Sequence, residues 1–165
     1  MLKKFEGKRV TLRTNSGDGS REWRRQEISL LFTSTVTPLL DCISDQVQIR
    51  PRELWGQLLN GLEYGKTIAI QLAETADERQ AINDDFHWLT KQASHDLFNS
   101  LKNRLDFPLK EIENPTVPGQ MQRMKATCCL YYQTEGSKGK CYTCPRMSVK
   151  EREIRKKEIV AEVTQ

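Results

Sequence analysis

A chain of 165 residues and 19.1 kDa with a net charge of +4 has room for one domain with short appendages. Leu, Ile, Val and Phe supply 38 of its residues. That share lies above the ~20% floor below which chains stay disordered, and no apolar run approaches the roughly 18–20 residues of a membrane span. The charge is unevenly spread: net +5 over residues 1–25, −6 over 26–120 and +5 over 121–165. Basic ends suit an anionic partner, but solvated faces that attract the acidic middle explain them as well. The opening Met1–Glu6 stretch is basic without an apolar segment behind it, so no secretory signal is read and a cytoplasmic, thiol-reducing setting is expected.

Residues 1–20 form a basic segment in which Val10 and Leu12 alternate with polar neighbours as in a short strand, followed by a Gly- and Ser-containing loop. Residues 21–122 read as a helical domain. Its first helix, over 21–45, carries an apolar stripe of Ile28, Phe32, Val36, Leu39 and Ile43, which Pro38 should kink or split. Cys42 beside that stripe is expected to be a small buried hydrophobe. Pro51 suits the first position of a second helix with Leu54, Leu58, Leu62, Ile68 and Leu72 on its face. Gly56, Gly61 and Gly65 there point to close approach of another element.

Thr75 with Glu78 makes a capping box for a third helix, and apolar period from Ile82 through Phe86, Leu89, Ala93, Leu97 and Leu101 to Leu105 predicts more than six turns. His87 and His95, eight apart, are read as surface histidines. Pro108, Pro115 and Pro118 mark a connector. Residues 123–147 form the cysteine module, and Ser148 with Glu151 makes a second capping box that opens a charged helix over 148–165, with Ile154, Val160 and Val163 on one side. The expected architecture is mostly α: a small helical bundle with a C-terminal four-cysteine module and short strands at the N-terminus and beside the cysteines.

Four of the five cysteines fall within seventeen residues: Cys128, Cys129, Cys141 and Cys144. Cys141-x-x-Cys144 is a knuckle whose short turn aims two sulfurs at one ion, and Gly136 and Gly139 let the chain fold back. Four thiolates complete the ligand set of either a zinc ion or an iron–sulfur cluster. Disulfides suit the cytosol poorly. A structural zinc site ordinarily uses two spaced knuckles, whereas adjacent side chains in extended backbone point to opposite faces. The adjacent pair therefore leans toward [2Fe–2S], with zinc the open alternative.

Cys128-Cys129-Leu130-Tyr131-Tyr132 followed by Cys141-x-x-Cys144-Pro145 resembles the C-terminal signature of the siderophore-iron reductase (FhuF-like) family, which carries an adjacent Cys pair, about ten residues, and Cys-x-x-Cys. Arg123 resembles the basic lead-in of that signature, and Leu54-Trp55-Gly56 its Leu-Trp-Gly segment. The resemblance covers residues 25 to 146. The gap between the cysteine pairs is one residue longer here, and the chain is shorter than the family on its N-terminal side. The resemblance implies a [2Fe–2S] cluster held by Cys128, Cys129, Cys141 and Cys144, and one-electron reduction of a ferric siderophore, with the hydroxamate type expected, by an electron donor that the sequence does not identify.

Reduction releases the metal because hard oxygen donors hold Fe³⁺ far better than Fe²⁺. No acid, base or nucleophile beyond the redox centre is needed. Arg123, Lys138, Lys140 and Arg146 are candidates to steer a partner or substrate, and Lys150 also lies close to the cysteines. Tyr131, Tyr132 and Tyr142 either shield the centre or, for at least two of them, pack. Two further readings stand beside this one: a zinc-stabilised binding module for nucleic acid or protein, and a [2Fe–2S] electron carrier or sensor. No reading-helix motif accompanies the cysteines, so no nucleic acid is expected. Contact with a membrane surface stays open.

Overall fold

A computed structural model describes residues 18–163 of the chain. The expected N-terminal strand at Val10 and Leu12 lies outside the described residues. The fold is mostly helical. Helix α1 spans Asp18–Leu31, α2 Thr37–Val47, α3 Pro51–Leu72, α4 Ala76–His87 and α5 Val149–Val163, and strands β1 (Glu111–Glu113) and β2 (Met121–Arg123) form a small hairpin. That hairpin ends five residues short of Cys128, in the stretch read from sequence as an irregular connector.

Helices α1 and α2 are one continuous rod with a π-helical turn over Phe32–Val36 between them. Pro38 sits at the start of α2, so it lacks the N–H that a regular helix would direct to Ser34. The π turn lies across the residues Pro38 disturbs, and its added residue rotates the stripe beyond it. Phe32 is buried, but beyond the π turn Leu40 packs on the core while Leu39 is exposed, correcting the expected stripe. Cys42 is likewise exposed rather than buried.

Pro51 does open α3, and Thr75 and Glu78 do form both halves of a capping box on α4, Glu78 N–H to Thr75 Oγ1 at 3.1 Å and Thr75 N–H to Glu78 Oε2 at 3.2 Å. The face of α3 differs from expectation. Its buried residues are Trp55, Gly56 and Leu59, with Leu58 and Leu62 packed beside them, while Ile68 and Leu72 point to solvent. The expected long third helix ends far short of Leu105. A π turn over Trp88–Gln92 follows α4, Ala93 turns extended, and Ser94 accepts from Asp96 N–H to cap a 3₁₀ turn over His95–Phe98. Asn99 then takes a left-handed conformation. Leu89, Ala93, Leu97 and Leu105 are still buried, because the folded-back chain returns them to the same core, whereas Leu101 is 97% exposed. His87 and His95 lie on the surface.

The core is organised around three rings. Phe98 meets Trp55 edge-on at 5.3 Å and Phe32 at 5.9 Å, and Phe32 stacks on Trp55 at 6.3 Å. Such pairs add about 0.5–1.5 kcal/mol each beyond their area burial. Leu59, Leu89, Leu105 and Phe107 complete the cluster. Thr37, buried on α2, donates to the Leu97 carbonyl at 2.6 Å, and Arg24 on α1 pairs with Asp85 on α4.

Gly56 is where α3 admits the rest of the chain. A Cβ at that position would lie 2.3 Å from both Cγ2 and Oγ1 of Thr127, while Gly61 and Gly65 face open space. Close approach therefore holds for Gly56 and not for the other two. Gly56→Ala is expected to lower stability by roughly 1–3 kcal/mol through overpacking, whereas Gly61→Ala should raise it by up to about 1 kcal/mol through helix propensity. Urea unfolding of both variants checks this, and equal shifts of one sign would refute the assignment of Gly56 as the contact point.

Candidate metal centre

The module is anchored one residue before the cysteine pair. Thr127 is buried, and its hydroxyl donates to the Glu53 carbonyl at 3.0 Å. Gln57 Nε2 donates to both the carbonyl and the hydroxyl of Thr127, each at 3.0 Å. One turn further along α3, Asn60 Oδ1 accepts from Ala126 N–H at 2.9 Å, and a second turn brings Glu63 to Arg123. The segment 123–127 thus runs antiparallel to α3, held at successive turns. Glu53, Gln57, Asn60 and Glu63 recur every three or four residues, a polar stripe on a helix with an apolar face; that periodicity was the signal in the sequence for this dock.

Beyond the dock, the chain delivers Cys128 inward. Its sulfur lies 3.3 Å from that of Cys144. Both are buried, and Met147, Leu130, Tyr132 and Cys141 pack around them. Leu130 adopts a left-handed conformation, φ +60°, uncommon for a residue with a large side chain. That conformation accompanies a backbone N–H aimed at the Cys128 sulfur, 3.4 Å away. Gly136 and Gly139, at φ +79° and +97°, make the turn that brings the knuckle back. The knuckle is closed by Cys144 N–H to the Cys141 carbonyl at 2.9 Å and tied to the strand segment by Lys125 N–H to the Thr143 carbonyl at 3.0 Å.

The four sequence-predicted thiols are not equivalent. Cys128 and Cys144 form the inner pair, Cys141 is half-buried beside them, and Cys129 is exposed. Adjacency of Cys128 and Cys129 therefore places one sulfur inside and one at the surface, and the close pair is drawn from opposite halves of the motif. Among the described residues no three metal-ligating side chains converge closely enough to form a coordination site as they stand. The donor set still fits a metal-thiolate group. Two thiolates on one tetrahedral ion at about 2.3 Å each lie about 3.8 Å apart, so Cys128 and Cys144, at 3.3 Å, would part by about half an ångström to share one, and a third thiol packs against them.

Burial pushes the Cys144 thiol up to about 11, against a smaller opposite pull from the Arg146 backbone N–H, and the Cys128 sulfur adds to the rise. Burial thus favours the neutral thiol of Cys144 over its thiolate.

Of the expected steering residues, Arg123 is taken up by Glu63, Lys140 pairs with Glu151 at 2.9 Å, and Arg146 lies 4.0 Å from Glu53. Lys138 is exposed and has no carboxylate partner among the described residues. Tyr132 packs in the module and Tyr142 donates its hydroxyl to the Glu113 carbonyl at 3.0 Å, whereas Tyr131 is exposed. The Ser148–Glu151 capping box forms in both directions. The expected apolar side of α5 does not become a packing face: Ile154 and Val163 are largely exposed and the helix has no buried residue. It is attached by Lys140–Glu151, by Lys156–Glu113 and by Arg152, whose guanidinium donates to backbone carbonyls of the knuckle, a role with no signal in the sequence.

Alkylation of the reduced, metal-free chain should follow the exposure of the thiols. Cys42 and Cys129 should label first and Cys144 last, at least about tenfold slower, as read by mass spectrometry of timed maleimide digests; Cys144 labelling as fast as Cys129 would contradict the burial described. Compared with protein-family models, with curated proteins and with solved structures, the chain finds no match.

Proposed function

We propose that the 123–147 module holds a [2Fe–2S] cluster through Cys128, Cys129, Cys141 and Cys144, and that the protein is a one-electron reductase of ferric siderophores acting in the cytoplasm. The observation that carries this reading is the pairing of Cys128 with Cys144 at 3.3 Å inside an apolar shell, with Cys141 beside them and Cys129 at the surface. Inner and outer thiols are what a binuclear group needs, since each of its irons takes two. When bound, the group supplies single electrons, at a potential set by its ligands, by N–H donors to sulfur and by exposure.

The chain's own residues would set that potential and the docking. Leu130 N–H directs a positive dipole at the Cys128 sulfur, which stabilises added negative charge. Tyr132, Leu130 and Met147 keep water from the inner pair. Exposed Cys129 marks the side at which an electron would leave for a docked ferric chelate, and exposed Lys138 and Lys150, which have no carboxylate partner among the described residues, are cations that would favour an anionic one. The substrate is a ferric siderophore, the hydroxamate type foremost, and the electron comes from a donor protein or cofactor of reducing potential. Gain of one electron converts Fe³⁺ to Fe²⁺, which the oxygen donors of the chelate hold weakly and release.

The separation of Cys128 and Cys144 also favours a second reading, a structural zinc ion in a four-cysteine binding module. Protein prepared without oxygen decides between them. The first reading expects about two irons and two acid-labile sulfides per chain, and reoxidation of the dithionite-reduced centre by a ferric hydroxamate with about one Fe²⁺ trapped per centre. Stoichiometric zinc without sulfide would establish the second reading instead. An intact centre that no ferric siderophore reoxidises would leave an electron carrier or sensor.

A further inference from the structure

We infer that Arg152 is the positioning residue of the metal centre: from helix α5 it fixes the backbone of the Cys141–Cys144 turn in the form that presents both thiols. Its Nη1 donates to the Tyr142 carbonyl, and its Nη2 donates to the Cys144 carbonyl at 3.0 Å and the Met147 carbonyl at 3.2 Å. One guanidinium thus spans the carbonyls before, at and after the second cysteine of the knuckle. Only a planar fork of several N–H donors satisfies three acceptors in that arrangement; an ammonium is a point donor on a flexible stem.

The peptide leaving Cys144 makes the contact more than incidental. Pro145 follows, so that peptide has no N–H and its carbonyl is its sole polar handle. Arg152 and the Met147 N–H, at 3.2 Å, hold that carbonyl. Arg152 is itself placed by the helix start, one residue after the Glu151 that closes the capping box with Ser148, and its guanidinium lies 5.7 Å from the centre of the Tyr142 ring.

The charge points the same way. Among the described residues Arg152 has no carboxylate partner, whereas Lys140, Arg155 and Lys156 around it are each paired with a glutamate. Carbonyl dipoles orient the guanidinium without cancelling its charge. A cation bonded to the carbonyls of the turn, with no carboxylate partner among the described residues, lowers the cost of gathering several thiolates, whichever metal they bind. This inference rests on the reading that the cysteines hold a metal, and it is indifferent to iron or zinc.

The test is anaerobic titration of the full-length, metal-free, reduced chain with Co²⁺, followed by the thiolate-to-cobalt charge-transfer band, for wild type, Arg152→Gln, Arg152→Lys and Arg155→Gln. Outer-shell partners of metal ligands are typically worth 10–100-fold in affinity. Arg152→Gln should weaken binding by that factor and shift the charge-transfer band. Arg152→Lys, which keeps the charge and loses the fork, should fall between Gln and wild type, and Arg155→Gln should match wild type. Far-UV circular dichroism of each variant reports the fold, and if Arg152→Gln unfolds, the comparison of Arg152→Lys with wild type decides. Wild-type affinity and band in a folded Arg152 variant would overturn the positioning role and leave the metal reading intact. No charge-transfer band in wild type itself would overturn the metal reading and this role with it.

Discussion

The module depends on one close approach, the seating of Thr127 against the bare backbone of α3 at Gly56. C-terminal to that point the described residues have only one small apolar cluster, so the placement of the module comes from the dock. Thr127 has its hydroxyl and carbonyl engaged by Glu53 and Gln57, while Ala126 N–H reaches Asn60. These bonds are partly buried around the buried Thr127, and an unmade partner there would cost up to about 1–3 kcal/mol, more than a typical made bond contributes. The dock therefore specifies position more than it supplies stability. It sets Cys128, the next residue, pointing inward. One position earlier, about 100° around the same helix, Trp55 supplies the centre of the aromatic core, so Trp55-Gly56 joins the core to the module within two residues.

From Cys128 onward, geometry is maintained by backbone hydrogen bonds and charged side chains rather than by a core. The module's own apolar cluster consists of Cys128, Cys144 and Met147 with Leu130, Tyr132 and Cys141 against it. So small a cluster carries little hydrophobic stabilisation at about 25 cal/mol per Å². A bound metal would supply what the cluster lacks, since binding free energy at a site absent from the unfolded chain is folding free energy. The polar attachment of α5 has the same logic. Glu151 illustrates it: its hydrogen bond from Lys140, reinforced by Ser148, holds its carboxyl down at about 2. A depressed folded-state pKa contributes stability above the ordinary carboxylate range and loses it as pH falls toward about 2, so α5 keeps its start through mildly acidic conditions.

Two π turns explain most of the difference between expected and observed helices. Each adds a residue to a helical turn and rotates the chain beyond it, which moves Leu39 outward and Leu40 inward after Phe32–Val36. After Trp88–Gln92 the chain leaves the helix, and Leu89, Leu97 and Leu105 are gathered by a folded-back path. An apolar period records that residues are buried; it does not record whether they are buried along one helix or around a bend.

Local chemistry was decided by the sequence. The two capping boxes, Pro51 at the head of α3, the mostly helical class, the turn glycines of the knuckle and the choice of four clustered thiols as the candidate centre all depend on residues within a few positions of one another, where propensity and hydrogen-bond reach are fixed by chain geometry. What required the tertiary structure depends on distance in sequence. Gly56 and not Gly61 meets Thr127 because only one face of α3 receives the 123–127 segment. Cys128 pairs with Cys144, and Cys129 stays outside, because the αL turn at Leu130 and the fold-back at Gly136–Gly139 bring the halves of the motif together in one register. Arg152 meets the knuckle only because α5 starts where Ser148 caps it. Spacing along a chain sets which groups are able to share a turn, while the packing of distant segments sets which side of that turn faces inward.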